Sequence, residues 1–189
     1  AGGYISGEKM AERLGITRTA VWKKIMALRD AGYDISSAPR SGYILRSAPD
    51  RLIEPEIARG LDTALIGRKI ISYDTVDSTN LVLKDLARAG AEDGTVVVAD
   101  SQGTGRGRME RAFFSPPGKG IWASILLRPT FLPQDAPKCT LMAAVAVARA
   151  MERFGLRAAI KWPNDIMHDG RKLVGILTEM SAEMDRVNY

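Results

Sequence analysis

The sequence predicts an α+β fold, with a short helix–turn–helix–hairpin module followed by a larger mixed β-sheet domain with packed helices. Three observations carry this expectation. Two helical patterns separated by Gly15, and then a hairpin pattern, occupy residues 7–45. Short β-branched runs then alternate with helical ones, and Thr95-Val96-Val97-Val98-Ala99 is the clearest of them. Directly after that run, Ser101-Gln102-Gly103-Thr104-Gly105-Arg106-Gly107-Arg108 alternates glycine with arginine, a composition poor for both strand and helix.

In the first module, Met10, Ala11 and Leu14 share one helical face of residues 7–14, and Gly15 is placed to stop that helix. Thr17 can cap a second helix running to about Arg29, with Val21, Ile25 and Leu28 as its apolar stripe. Thr17, Arg18, Thr19, Trp22 and Lys23 lie at its start or off that stripe, as on a recognition helix. Tyr33–Ile35 and Gly42–Leu45 are expected to pair around residues 36–41 as a wing, with Arg40 at the tip. Residues 1–50 hold eight Lys/Arg against five Asp/Glu. That excess is small, so the order of elements carries the expectation of a DNA-binding winged helix-turn-helix over residues 1–47. A helical module used only for dimerisation or packing is the alternative.

Ser47-Ala48-Pro49-Asp50 has linker composition, and the second domain is expected over 48–189. There, Glu54–Leu61 suggests a short helix and Arg68–Tyr73 a strand. Asp77 or Ser78 can cap a helix bearing Leu81, Leu83, Leu86 and Ala87 and closed by Gly90. Thr95–Ala99 is expected to end at Asp100. Ile121–Arg128, apolar on both faces except at Ser124, predicts a central strand. Thr140–Phe154 predicts a heavily buried helix. Ala158–Trp162 predicts a strand broken at Pro163, and Ile166–His168 with Leu173–Met180 a hairpin across Asp169-Gly170.

Composition bounds the function. Hydrophobic residues at 46% and charged residues at 26% fit a folded domain. The longest apolar run, Leu141–Ala148, is far too short to cross a bilayer, so no membrane partner is expected. With no secretory leader pattern and the single Cys139, a cytoplasmic protein is expected. Cys139 and the lone His168 exclude a Cys/His zinc site within one chain. The net charge of +5 admits a nucleic-acid partner without requiring one.

Four polar groups interrupt the apolar strands: Asp77–Asn80, Gln102–Arg111, Lys161–Asp165 and Gly170–Lys172. Hydroxyls and amides suit an uncharged polar head group. Arg106, Arg108 and Lys172 suit a carboxylate and a phosphate drawn together. A mobile Gly/Arg lid over a small anionic ligand is expected, and a basic surface loop on nucleic-acid backbone is its alternative. Each residue also has a plainer role. Ser78 can be only a cap, Lys161 and Lys172 solvated edge charges, Trp162 core, and Asn164-Asp165 a turn. No nucleophile stands beside a base, so catalysis by orientation and charge neutralisation is expected.

Together, DSTN (77–80), GTGRGR (103–108), KWPND (161–165) and GRKLVGIL (170–177), behind a winged helix, resemble the BirA-type bifunctional biotin–protein ligases that also repress a biotin operon. The resemblance covers nearly the whole chain. It implies a class II synthetase-like catalytic domain. That domain would make biotinyl-5′-AMP from biotin and Mg-ATP, then pass biotin to a lysine of a carboxylase's biotin carboxyl carrier domain. It also implies that the adenylate-bound protein forms a homodimer on operator DNA.

By the same resemblance, Ser78, Thr79, Asn80 and Gln102 bind biotin's ureido and neighbouring groups, and Arg106, Gly107 and Arg108 belong to a loop that folds over biotin and adenylate. Lys172 lies on the biotin carboxylate and α-phosphate, and with Arg106 and Arg108 it forms the catalytic set. Arg111, Phe113, Lys161, Asn164 and Asp165 serve ATP, with Asp165 the candidate Mg2+ contact. The chain departs from the family where Glu110 takes a loop glycine's place. The family also has a helix ahead of this module and, past Tyr189, a glycine-rich strand and an SH3-like barrel, which predicts that this chain is a fragment. A biotin-sensing transcription factor without ligase activity and a lipoate-type ligase are the alternatives.

Overall fold

The computed structural model describes residues 3–189, with the Glu110 side chain outside the described set. It forms two compact units, Ala1–Arg51 and Leu52–Tyr189.

In the first unit, α1 (Gly7–Leu14) starts on Ser6, whose hydroxyl accepts from Lys9 N, and ends on Gly15 in the left-handed region. The Thr17 hydroxyl accepts from Ala20 N and opens α2 (Arg18–Asp30). Val21 and Ile25 are buried, but Leu28 is 38% exposed, because the helix rotates the third stripe position toward its edge. Strands β1 (Asp34–Ala38) and β2 (Gly42–Ser47) pair antiparallel. β1 runs on through Ser36 and Ser37, so the wing's turn is shorter than expected. Its tip is Arg40 at φ 62°, a left-handed conformation. Ile5 extends this sheet by exchanging two backbone bonds of 2.9 Å with Tyr43. The Arg29 guanidinium donates to Ile35 O at 2.9 Å and locks α2 to β1.

In the second unit, α3 (Glu54–Ala58) precedes β3 (Ile70–Val76), α4 (Thr79–Arg88) and β4 (Val96–Gln102), a βαβ unit with β3 and β4 parallel. β5 (Trp122–Ile125) adds antiparallel to β4, so the sheet order is β3-β4-β5. β4, not β5, is therefore central. Its residues Val96–Ala99 are at most 8% exposed, whereas Ile125 on the edge strand is 49% exposed and Ile121, just before it, 71%. An apolar run marks hydrophobic surface but cannot say which strand receives partners on both edges. Leu83 and Ala87 of α4 pack on Val97 and Leu126.

α5 (Pro137–Arg153) lies against an antiparallel meander of β6 (Ala159–Lys161), β7 (Asp165–His168) and β8 (Arg171–Gly175). Of α5, only Ala144 and Ala148 are buried. The expected heavy burial is not found, since a helix meeting one layer covers only one stripe. Asp169 (φ 48°) and Gly170 (φ 74°) make the two-residue turn between β7 and β8, as primed hairpin turns require.

Arg128 holds the C-terminal end of α4. Its guanidinium donates to Ala87 O (2.8 Å) in the last turn of α4, to Ala91 O (2.9 and 3.1 Å) just past it, and to Asn188 O (2.9 Å) of the C-terminal segment. Charge-assisted bonds of this kind are worth about 1.5–3 kcal/mol singly and are not additive. Arg128→Ala should therefore lower the urea unfolding free energy of this unit by about 2–4 kcal/mol. A loss below about 0.5 kcal/mol would show that the carbonyls are served equally well by water. No helix among the described residues is long and apolar enough to cross a membrane.

Candidate ligand and nucleotide site

The polar groups picked out in the sequence lie at the C-terminal ends of β3 and β4, at the β6–β7 turn and on the β7–β8 hairpin. β4 continues past Asp100, so Gln102 ends the strand and the loop begins at Gly103. Gly103 N bonds to Val76 O and Thr104 N to Asp77 O, each at 2.9 Å, which ties the loop's root to the β3–α4 turn.

The Gly/Arg segment folds back on itself. Arg106 bridges Ala112, Gly107 N donates to Arg111 O at 2.7 Å, and Phe113 N donates to Gly105 O at 2.7 Å. It is thus a self-paired excursion, with Met109 in the left-handed region at its tip. Gly105 is required there because an added Cβ would run into Phe113 O and come within 2.6 Å of Ser115 Oγ.

A continuous hydrogen-bonded chain crosses the site. The Asn80 amide nitrogen donates to Glu179 Oε2 at 2.8 Å, and Lys84 Nζ donates to Glu179 Oε1 at 2.6 Å. Ser124 Oγ donates to Asn80 Oδ1 and shares a 2.8 Å bond with Thr79 Oγ1. Thr79 N donates to Gln102 Oε1 at 2.9 Å, Gln102 Nε2 to Ser115 Oγ at 3.0 Å, and Ser115 Oγ to Phe113 O at 3.0 Å. Burial raises the Glu179 carboxyl's pKa, but the bonds from Lys84 and Asn80 and the charges of Lys84 and Arg106 outweigh it, holding the group below its ordinary range.

Ser78, 3% exposed, occupies the N-cap position of α4 but makes no capping bond with its side chain. Its extended backbone starts the helix without one.

A second cluster adjoins Phe113. Lys172 Nζ lies 2.7 Å from Asp165 Oδ1 and 5.6 Å from the centre of the Phe113 ring. Gly175 makes room for it, since a Cβ there would stand 2.9 Å from both Nζ and Cε of Lys172. Phe113 meets Trp122 edge-on at 6.0 Å. Arg108 donates to Asn164 Oδ1 at 3.1 Å, and Asn164 Nδ2 donates to Ile176 O at 3.1 Å. Lys161 pairs in register with Asp165 across β6 and β7, exposed like Arg106 and Arg111. Among the described residues no three acidic, His or Cys side chains gather as a metal cage.

The structure therefore brings Thr79, Asn80 and Gln102 into one chain and Arg108, Asn164, Asp165, Lys172 and Phe113 into another cluster, joined through Ser115. Glu179, Ser115, Gly175 and Trp122 were not picked out from sequence. Ser124 was, though only as a polar break in an apolar run. In the first unit Arg18, Thr19, Trp22, Lys23 and Arg40 are all exposed, while the Thr17 hydroxyl is occupied by its cap bond.

Residues 72–187 match the model of the biotin/lipoate A/B protein ligase family, and residues 1–44 match an HTH domain. A Bacillus subtilis protein named bifunctional ligase/repressor BirA is 49% identical over 185 residues, covering 97% of this chain and 57% of that protein. The Escherichia coli protein of the same name is 35% identical over 184 residues, covering 96% of this chain and 56% of it. A solved biotin protein ligase from Aquifex aeolicus, in complex with biotin and ATP, superposes with a TM-score of 0.51 at 31% identity, covering 64% of this chain and 49% of that one. The chain spans little more than half the length of these curated relatives.

Proposed function

Since this chain belongs to the biotin/lipoate A/B protein ligase family, we propose that it activates biotin with Mg-ATP as biotinyl-5′-AMP and transfers biotin to an acceptor lysine on a carboxylase's biotin carboxyl carrier domain. Its N-terminal module binds operator DNA, the adenylate-bound form is a homodimer, and the protein works in the cytoplasm. One observation carries the reading. The chain of uncharged donors and acceptors from Asn80 to Phe113 ends beside the Lys172 ammonium. A cyclic urea at one end and a carboxylate at the other suit that sequence of groups.

In the first step a biotin carboxylate oxygen attacks the α-phosphorus and the bond to pyrophosphate breaks. Negative charge grows on the phosphoryl oxygens, where Lys172, Arg106 and Arg108 neutralise it. Arg108 is steadied by Asn164, and Lys172 by Asp165. Phe113 supplies a face for the adenine, and Arg111 and Lys161 supply charge for the outer phosphates. Mg2+ enters as part of Mg-ATP. Asp165 is the protein carboxylate that would hold it, once Lys172 turns from Asp165 to the phosphate, and the ion would neutralise phosphate charge there. In the second step the acceptor amine attacks the acyl carbon and AMP leaves.

Incubating the protein with Mg-ATP and biotin, with lipoate in a parallel tube, should yield biotinyl-AMP by mass spectrometry and no lipoyl-AMP. Lipoyl-AMP alone would move the protein to the other substrate of its family, and tight biotin binding without adenylate would make it a sensor. For the DNA role, replacing Arg18 and Lys23 together by alanine should weaken operator binding and make the log–log salt slope shallower by about 2. An unchanged slope would take both residues off the phosphate backbone.

A further inference from the structure

We propose that Glu179 is a positioning residue of the biotin site, setting through Asn80 the direction of every hydrogen bond back to Thr79; this rests on the ligase reading above. The argument is a count of protons. An ionised carboxylate only accepts, so it must face the NH2 side of Asn80, 2.8 Å away, and the same nitrogen makes a longer bond of 3.5 Å to Leu177 O. Asn80 Oδ1 then faces Ser124, and only the Ser124 hydroxyl can supply that proton. With its single proton used, Ser124 Oγ must accept from Thr79 Oγ1, 2.8 Å away. The Thr79 hydroxyl proton is then directed to Ser124 and reaches Gln102 Oε1 only as the longer arm of 3.2 Å, while Thr79 N serves that oxygen at 2.9 Å. That leaves Gln102 Nε2 as donor to Ser115, whose proton goes to Phe113 O.

Thr79 Oγ1 is consequently an acceptor toward any ligand group that reaches it, which selects an N–H donor such as that of a cyclic urea. Were Asn80 turned over, Ser124 would donate to Thr79, the Thr79 proton would turn to Gln102 Oε1, 3.2 Å away, and one Thr79 lone pair now offered to the ligand would be taken up by Ser124. Lys84 holds the other carboxylate oxygen at 2.6 Å and has a side-chain exposure of 30%, like its partner.

Glu179→Gln keeps the side-chain shape but offers one oxygen and one NH2. The Lys84 ammonium claims the oxygen, so the NH2 faces Asn80 and the chain reverses at the cost of the long Asn80 Nδ2 bond to Leu177 O. Equilibrium binding of labelled biotin should weaken about tenfold in Glu179→Gln and recover to within about threefold of the parent in Glu179→Gln/Lys84→Met, where the oxygen is released to face Asn80. Lys84→Met alone should change biotin affinity less than twofold. A merely structural ion pair would instead make the double variant worse than either single one. Unchanged binding in Glu179→Gln, or no recovery in the double variant, overturns the role of Glu179. No biotin binding by the parent protein removes the ligase reading, and this proposal with it.

Discussion

Lys172→Ala is expected to slow biotinyl-adenylate formation by about 10²–10³-fold, the usual cost of removing one preorganised charge-stabilising group from a transition state. Lys172 is placed for this by backbone. The β7–β8 turn directs it along β8, and Gly175 leaves the space in which Nζ and Cε lie. Its partner Asp165 is 23% exposed at the side chain, so the alanine variant also strands a half-buried carboxylate. The kinetic and structural losses separate in a double variant. Lys172→Ala/Asp165→Asn should regain thermal stability but not adenylate formation. Mass spectrometry of the adenylate beside a melting curve checks both, and adenylate at the parent rate in either variant would remove Lys172 from the chemistry. Operator binding by residues 1–51 should be unchanged.

Gly105→Ala should reduce adenylate yield by about 10²-fold, because misplacing positioned groups by about 1 Å carries that penalty. The added methyl has nowhere to go. It meets a backbone carbonyl at Phe113, and Ser115 Oγ and Gln102 Nε2 stand at 2.6 and 3.2 Å from its position. The excursion must open, which breaks the Phe113 N–Gly105 O bond and moves Phe113 away from Lys172. Overpacking of this kind also costs about 1–3 kcal/mol of stability. Gly103→Ala is the control, since its Cβ would meet nothing closer than Asp77 Oδ1 at 3.5 Å. Equal losses from both substitutions would mean that glycine flexibility along the loop, not the close approach at Gly105, is what matters.

Much of the first unit is legible in the amino-acid sequence. The Thr17 cap and the Gly15 stop, like the Asp169-Gly170 turn of the second unit, are local events, decided by φ and by a bond to a neighbour three or four residues away. The same holds for β4, whose β-branched run has one conformation that suits it. The polar groups at 77–80, 102–111, 161–165 and 170–172 are equally plain, because breaks in apolar strands are visible one residue at a time. The family resemblance then implies biotin and ATP as the ligands to test them with.

Other features depended on which segments meet. Ile121–Arg128 reads as a central strand, yet only sheet order assigns two neighbours to β4 and one to β5. Thr140–Phe154 is apolar on several faces, and only the layer beneath it selects Ala144 and Ala148 for burial. Glu179 stands 99 residues from Asn80. A glutamate in a polar stretch looks the same whether water or an amide satisfies it, so sequence by itself determined the elements, their turns and the family, while tertiary structure alone decided the partners. The physical reason is range. Caps and turns are settled within a few residues, whereas a hydrogen bond between distant strands exists only once topology has brought its donor and acceptor within about 3 Å.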